Sequence, residues 1–283
     1  MLIPFFAALV YGAQTVVDKF ALSKRRIRLS LYVPALFFYL FFFSALLTPF
    51  FGMVNWQLLF FPQILFLFLT LLVLAITWNI FYYQSLQKEE LFEFETILML
   101  APLITILLSW IFFPETWNLR VGVAGLVAGL ALIWSHWEKH HFTLGHYSLN
   151  LLVAVVLMAV EEIVATQLLR SGVFSPVSLY AIRTLLLFGF FYAYFRPKLD
   201  ASNRSKLNVI SLAGLLGAAY MVLKYYGYQK LGIPFTALVT IAAPITVYLG
   251  SAFVIRERMR ARVLVAAAVV AACIVYATSI VVK

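Results

Sequence analysis

The sequence predicts an all-α membrane protein, with ten transmembrane helices arranged as an inverted repeat of five plus five. Three observations carry this. The 283 residues are 64% hydrophobic and only 11% charged, where a water-soluble domain carries about 25% charged residues. Ten apolar runs follow one another with short polar separators, and a spanning helix takes about 20 apolar residues. Residues 87–134 align without a gap on residues 229–276, an offset of 142. The composition, with a mean hydropathy of +0.99, excludes a soluble enzyme, a disordered chain and a disulfide-rich secreted module.

The apolar runs cover roughly 1–23, 30–50, 62–86, 91–113, 118–135, 147–169, 174–195, 206–229, 233–255 and 260–281. They must be helices, because lipid offers a backbone no hydrogen-bond partners. They are continuous, so the alternation a transmembrane barrel needs is missing. Met1 leads straight into Leu2, Ile3 and Pro4 without a basic leader or a small-residue cleavage site, so the first run reads as a retained helix. Separators such as Ser23 to Arg28, Ser135 to His141 and Arg196 to Asp200 are too short to link domains. The chain is read as one domain, 1–283, with repeat one about 1–140 and repeat two about 141–283. Cys273 is the single cysteine, so no intrachain disulfide forms.

Within the repeat, 12 of 48 positions are identical. They include Gln87 and Lys88 on Gln229 and Lys230, Ala101 and Pro102 on Ala243 and Pro244, and Glu115 on Glu257. Apolar composition alone supplies about five matches, without aligning the polar residues and prolines in one register. Five spans per half is an odd number, so the halves cross the membrane in opposite directions. Inverted halves rocking about a central site are a transporter architecture.

Ala101-Pro102-Leu103, then Glu115 and the helix bearing Gly122, Gly125 and Gly129, resembles the end of an EamA-type half. Ala243-Pro244-Ile245, Glu257 and the Ala-rich last helix resemble the other, and Ser175-Pro176 followed by Arg183 resembles the start of the seventh helix. The chain is therefore similar over nearly its whole length to the drug/metabolite transporter superfamily. That resemblance implies a basket of eight helices around a cavity, with the fifth and tenth helices outside it. It also implies export or exchange of a small solute.

Basic residues give an orientation. The loops after odd-numbered helices carry 14 Lys and Arg, and the termini with the loops after even-numbered helices carry four. The positive-inside rule then puts odd loops in the cytoplasm and both termini outside. The membrane expected is a prokaryotic inner membrane. The net charge of +10 serves this orientation rather than nucleic-acid binding.

Ionisable residues inside spans point to function, because each needs a partner or a wet cavity. Glu161 and Glu162 lie about two-thirds along the sixth run and about 100° apart on a helix. Desolvation and mutual repulsion oppose ionisation of both, which makes them proton-coupling candidates. The competing reading is an ion-pair network with Arg183 and Lys224 at similar depth. Asp18, Lys19, Trp78, Asn79, Tyr82, Tyr83, Glu93 and Glu95 gather toward the odd-loop side, with Tyr220 and Tyr225 toward the other. Trp78, Asn79, Tyr82, Glu95, Glu161, Glu162 and Tyr220 are the solute-binding candidates, aromatic faces being suited to organic cations. An interfacial aromatic belt is the alternative for the rings, and a helix-dipole role for Glu95. Pro102 and Pro244 are expected to kink their helices and free the carbonyls of Leu98 and Thr240. The glycines at 122, 125 and 129 are expected to allow close packing. His140 and His141 meet no zinc spacing, and no nucleotide-binding or hydrolase motif is present.

The function expected is secondary transport of a small polar or cationic metabolite, such as an amino acid or amine. It is expected to proceed by alternating access, with Glu161 and Glu162 as candidates for proton coupling, and with no cofactor and no enzymatic chemistry. A quaternary-ammonium or drug carrier and a lipid flippase are the alternatives within transport. An intramembrane lipid-modifying enzyme and a scaffold are the alternatives outside it. The partners are the solute and the bilayer, and monomer and homodimer both remain open.

Overall fold

The computed structural model describes residues 2–24, 27–88, 94, 97–116, 118–136, 145–197, 204–243, 245 and 261–281. Among them the chain forms eleven α-helices: α1 (Leu2–Lys19), α2 (Leu29–Phe51), α3 (Trp56–Leu59), α4 (Pro62–Lys88), α5 (Leu100–Phe112), α6 (Leu119–His136), α7 (His146–Arg170), α8 (Pro176–Phe195), α9 (Arg204–Leu231), α10 (Ile233–Thr240) and α11 (Ala261–Val281). A π-helical turn, Phe20–Lys24, continues α1. Ser175 caps α8 by accepting from the Ser178 amide, and Pro176 starts that helix, where its missing N–H is no loss.

Six helices are long and apolar enough to cross a bilayer: Leu2–Leu22, Leu29–Phe51, Pro62–Lys88, His146–Arg170, Pro176–Phe195 and Arg204–Leu231. Phe50, Phe66, Ile111 and Val275 are each more than two-thirds exposed, a surface that water would not tolerate and acyl chains cover. This is a multi-pass membrane protein. The apolar runs at 91–113, 118–135 and 260–281 give shorter apolar helices, Leu100–Phe112, Leu119–Ser135 and Leu264–Ile280. The reason is plain at α5, where thirteen residues reach about 20 Å against a hydrocarbon core of about 30 Å. The helix is interrupted by a turn at Met99, three residues before Pro102. Pro102 has no amide to give the Leu98 carbonyl, so the ladder breaks there and Pro102 occupies the first turn of α5 instead of its middle. An equivalent turn at Ile241 and Ala242 ends α10. Pro244 itself lies outside the described residues, as do residues 246–255.

The helices pack mainly in cross-chain pairs: α1 with α9, α2 with α8, α4 with α7, and α6 with α11. Two apolar cores result. The larger draws on α1, α2, α4, α7, α8 and α9, around Tyr32, Leu71, Phe174 and Phe191. The smaller joins α5, α6, α10 and α11 around Ile106, Ala128, Leu238 and Val270. Two glycines permit the closest approaches. A Cβ at Gly129 would stand 2.2 Å from Leu103, and one at Gly214 would stand 2.4 Å from the Cβ of Tyr39. Gly125, facing Ile106, and Gly129 thus serve packing of α6 on α5.

At the end of the bundle bearing the even-numbered loops, the α2–α3 and α7–α8 connections are tied by main chain. The Asn55 amide donates to Val173 O at 2.8 Å and the Ser175 amide to Met53 O at 2.9 Å, flanking a bridge between Val54 and Phe174. Met53 N donates in turn to the Ser175 hydroxyl. Arg170, ending α7, donates to Glu115 Oε1 at 2.5 Å and lies over the Phe113 ring.

Candidate solute cavity

Helical spacing gathers the polar residues of the larger core on inward faces. Tyr11, Gln14 and Asp18 follow one another by three and four residues on α1, as Tyr220 and Lys224 do by four on α9, so each set shares a face. With Trp78, Asn79, Tyr82 and Tyr83 of α4, Glu161 and Glu162 of α7, and Tyr180 and Arg183 of α8, they line one cavity of about 80 Å³. A water needs about 10–15 Å³ of such space, so the cavity suits a small solute. A second cavity of about 40 Å³ adjoins it through Tyr11, Met158, Glu162, Tyr220 and Lys224, and reaches Met99, Pro102, Thr240 and Ile241 where α5 and α10 break.

Both carboxyls border the larger cavity even though they diverge on α7, because the helix is flanked by cations on two sides. Arg183 on α8 donates from Nη2 to Glu161 Oε2 at 3.3 Å, and its Nε stands 3.1 Å from Oε1. Each of these two residues is only 2% exposed. Lys224 on α9 donates to Glu162 Oε1. Glu162 Oε2 accepts from the Tyr228 hydroxyl at 2.6 Å and from Thr105 of α5 at 2.9 Å. The Lys224 ammonium also faces the rings of Tyr220 and Tyr228 at 5.4 and 5.6 Å, within cation–π range. Removing two charges from water is costly, and only good geometry with further hydrogen bonds compensates it. Glu162 has both.

The aromatic candidates are interior. Tyr82, Tyr83, Tyr220 and Tyr225 are buried, so they are not an interfacial belt. Trp78 packs edge-on against Tyr82, and its indole N–H lies against the Glu161 carboxyl but out of hydrogen-bonding geometry. Tyr220 meets Tyr11 at 4.6 Å between ring centres. Asn79 donates to its own helix at Ala75 O, 2.7 Å away. Asp18, 3% exposed, accepts from Tyr32 at 2.5 Å and from Gln14 at 3.3 Å. Glu95 and Glu93 lie outside the described residues, as do Glu257 and the histidines at 140 and 141.

Sequence reasoning passed over Thr105, Tyr228, Tyr11 and Tyr32. Two of these left a trace: Tyr228 follows Lys224 by one helical turn, and Thr105 is one of two hydroxyl residues, with Ser109, on the otherwise apolar α5.

No protein-family model matches the chain, and no curated protein matches it. Twenty-eight chains of known structure resemble it. One, described only as "Crystal structure of protein", has a TM-score of 0.76 at 15% sequence identity, over 99% of this chain and 96% of the other. The likeness is one of fold.

Proposed function

We propose that the protein is a secondary transporter, built as an inverted repeat of five plus five spans, that exchanges a small polar or cationic metabolite by alternating access. The observation that carries this reading is the make-up of the cavity wall. Trp78, Asn79 and Tyr82 line it from the first half and Tyr220, Met221 and Lys224 from the second, and each of these positions differs from its counterpart by the same 142 residues that relate the repeats. The turns at Met99 and Ile241 are related by that offset too. The pairing of α1 with α9 and of α4 with α7 is interchanged by the same operation, and the α6–α11 pair stands apart from the larger core. Inverted-repeat transporters hold their solute at such a repeat interface, beside discontinuous helices.

The wall presents carboxylates at Asp18, Glu161 and Glu162 and cations at Arg183 and Lys224. Both signs within a small volume favour a zwitterion such as an amino acid over a purely cationic drug. The charge bias of the loops supports odd loops in the cytoplasm and both termini outside, in a prokaryotic inner membrane.

Counterflow in proteoliposomes tests the reading, with amino acids, amines and nucleosides as separate pools. Saturable exchange of one class, lost in Glu162→Gln, is the expected result. No exchange of any class by a folded protein overturns it in favour of a scaffold whose carboxylates are merely paired.

A further inference from the structure

Among the described residues three carboxyls border the cavity, and they are not equivalent. Glu161 and Glu162 each hold a cation, Arg183 and Lys224 respectively. Asp18 forms no ion pair among the described residues and is held by neutral groups alone: the Tyr32 hydroxyl at Oδ1 and the Gln14 carboxamide at Oδ2. A buried ionised carboxylate without a counter-charge is strongly disfavoured and relieves that by taking up a proton. The geometry contains a place for such a proton. Gln14 Oε1 is buried without a donor, while Gln14 Nε2 stands 3.3 Å from Asp18 Oδ2. The two ends of a carboxamide exchange places by a half-turn of the terminal torsion, and which end faces a partner is fixed only by the hydrogen-bond network. Turned, the orphaned oxygen faces Oδ2, and a protonated Oδ2 supplies the donor it lacks.

We propose that Asp18 is the proton-binding group of the cavity, with Tyr32 and Gln14 as its positioning residues, and that Glu161 and Glu162 are fixed structural anions. This rests on the transport reading, and it moves proton coupling from α7 to α1. Bound, the proton sits on Asp18 Oδ2 and is donated to Gln14 Oε1. Released, it leaves a carboxylate that accepts from Tyr32 and from the Gln14 amide nitrogen. No other bond changes. The titratable groups facing Asp18 are the phenols of Tyr32 on α2, Tyr83 on α4 and Tyr180 on α8. The cations beyond them, Arg183 and Lys224, are engaged by α7. The segment of α10 that packs on α1, Ile233–Thr240, carries no titratable side chain.

Infrared difference spectroscopy on the protein in lipid nanodiscs, between about pH 5 and pH 9, tests this. A protonated-carboxyl C=O band that titrates in wild type should vanish in Asp18→Asn and persist in Glu161→Gln and Glu162→Gln. Tyr32→Phe, which keeps the carboxyl but removes the donor at Oδ1, should move that band to higher frequency, and it serves where Asp18→Asn fails to fold. Absence of a titrating band in wild type, its survival in Asp18→Asn, or an unshifted band in folded Tyr32→Phe overturns the proposal. The band is read without solute or gradient. A failed transport reading therefore shows as absent counterflow with the band intact, and a failed Asp18 assignment as counterflow whose pH dependence survives Asp18→Asn.

Discussion

Replacing Lys224 by methionine isolates the energetics of the cavity. The change keeps the aliphatic stem and removes the ammonium, leaving Glu162 with the hydroxyls of Tyr228 and Thr105 but no opposite charge. Breaking one side of a buried ion pair costs about 3–5 kcal/mol. Because two hydrogen bonds to the carboxylate survive, the lower end applies, about 3 kcal/mol. At about 2–4 °C per kcal/mol, the unfolding temperature falls by about 6–12 °C. The double variant Lys224→Met/Glu162→Gln removes both charges and keeps acceptors for Tyr228 and Thr105, so it should return to within about 1 kcal/mol of wild type. Thermal unfolding in detergent, followed by intrinsic fluorescence, reads both, with Lys230→Met at the exposed end of α9 as the control. If Lys224→Met costs no more than Lys230→Met, or if the double variant is no better than the single one, the reasoning fails.

Further outcomes follow from features away from the cavity. The backbone amide at Glu115 and, next, Arg170 hold the Glu115 carboxyl below its ordinary range. Its contribution is therefore present above about pH 4.3 and lost as pH falls through the lowered native value, so acid unfolding curves should flatten in Glu115→Gln. Gly214→Ala should destabilise by about 1–3 kcal/mol, since the new Cβ meets Tyr39 main chain as well as side chain, while Gly189→Ala, with open space around it, should stabilise by up to about 1 kcal/mol; chemical unfolding of the two variants separates these signs. In a Cys273→Ser background, Gln57→Cys should react with an impermeant maleimide in intact cells and Lys88→Cys only after lysis, and the reverse pattern inverts the topology.

The parts of the site legible in the sequence were those with few available partners. Four ionisable residues at similar depth in apolar runs are natural partners for one another, so a network of Glu161, Glu162, Arg183 and Lys224 was legible as one of the two readings. Which carboxylate takes which cation was not legible, because that depends on how α8 and α9 are placed around α7, with Arg183 reaching Glu161 and Lys224 reaching Glu162. Thr105 and Tyr228 were passed over for a different reason, their traces being too faint to assign a partner. Hydroxyls are ordinary in transmembrane helices, and nothing in the sequence distinguishes one aimed at Glu162 from one bonded back to its own helix, as Thr184 is. The short helices α5 and α10 escaped as well. The prolines were read as kinks within continuous spans, and a run of apolar residues does not reveal that the freed carbonyl at Leu98 ends one helix and starts another.

The tie between residues 53–55 and 173–175 has a consequence for how this protein changes over generations. Two of its three hydrogen bonds join main-chain groups, which are the same for every residue except proline. Substitutions at Met53 or Val54 can therefore accumulate without altering the hydrogen bonds that hold the connections together, apart from imino acids at a donor position, whereas Val173 and Phe174 are buried in the larger core and are held by packing. Ser175 is the exception, since its hydroxyl receives the Met53 amide. The hydrogen bonding of the seam is thus almost blind to side-chain identity, with one adjustable stitch at Ser175, while Val173 and Phe174 remain tied to the core by their packing.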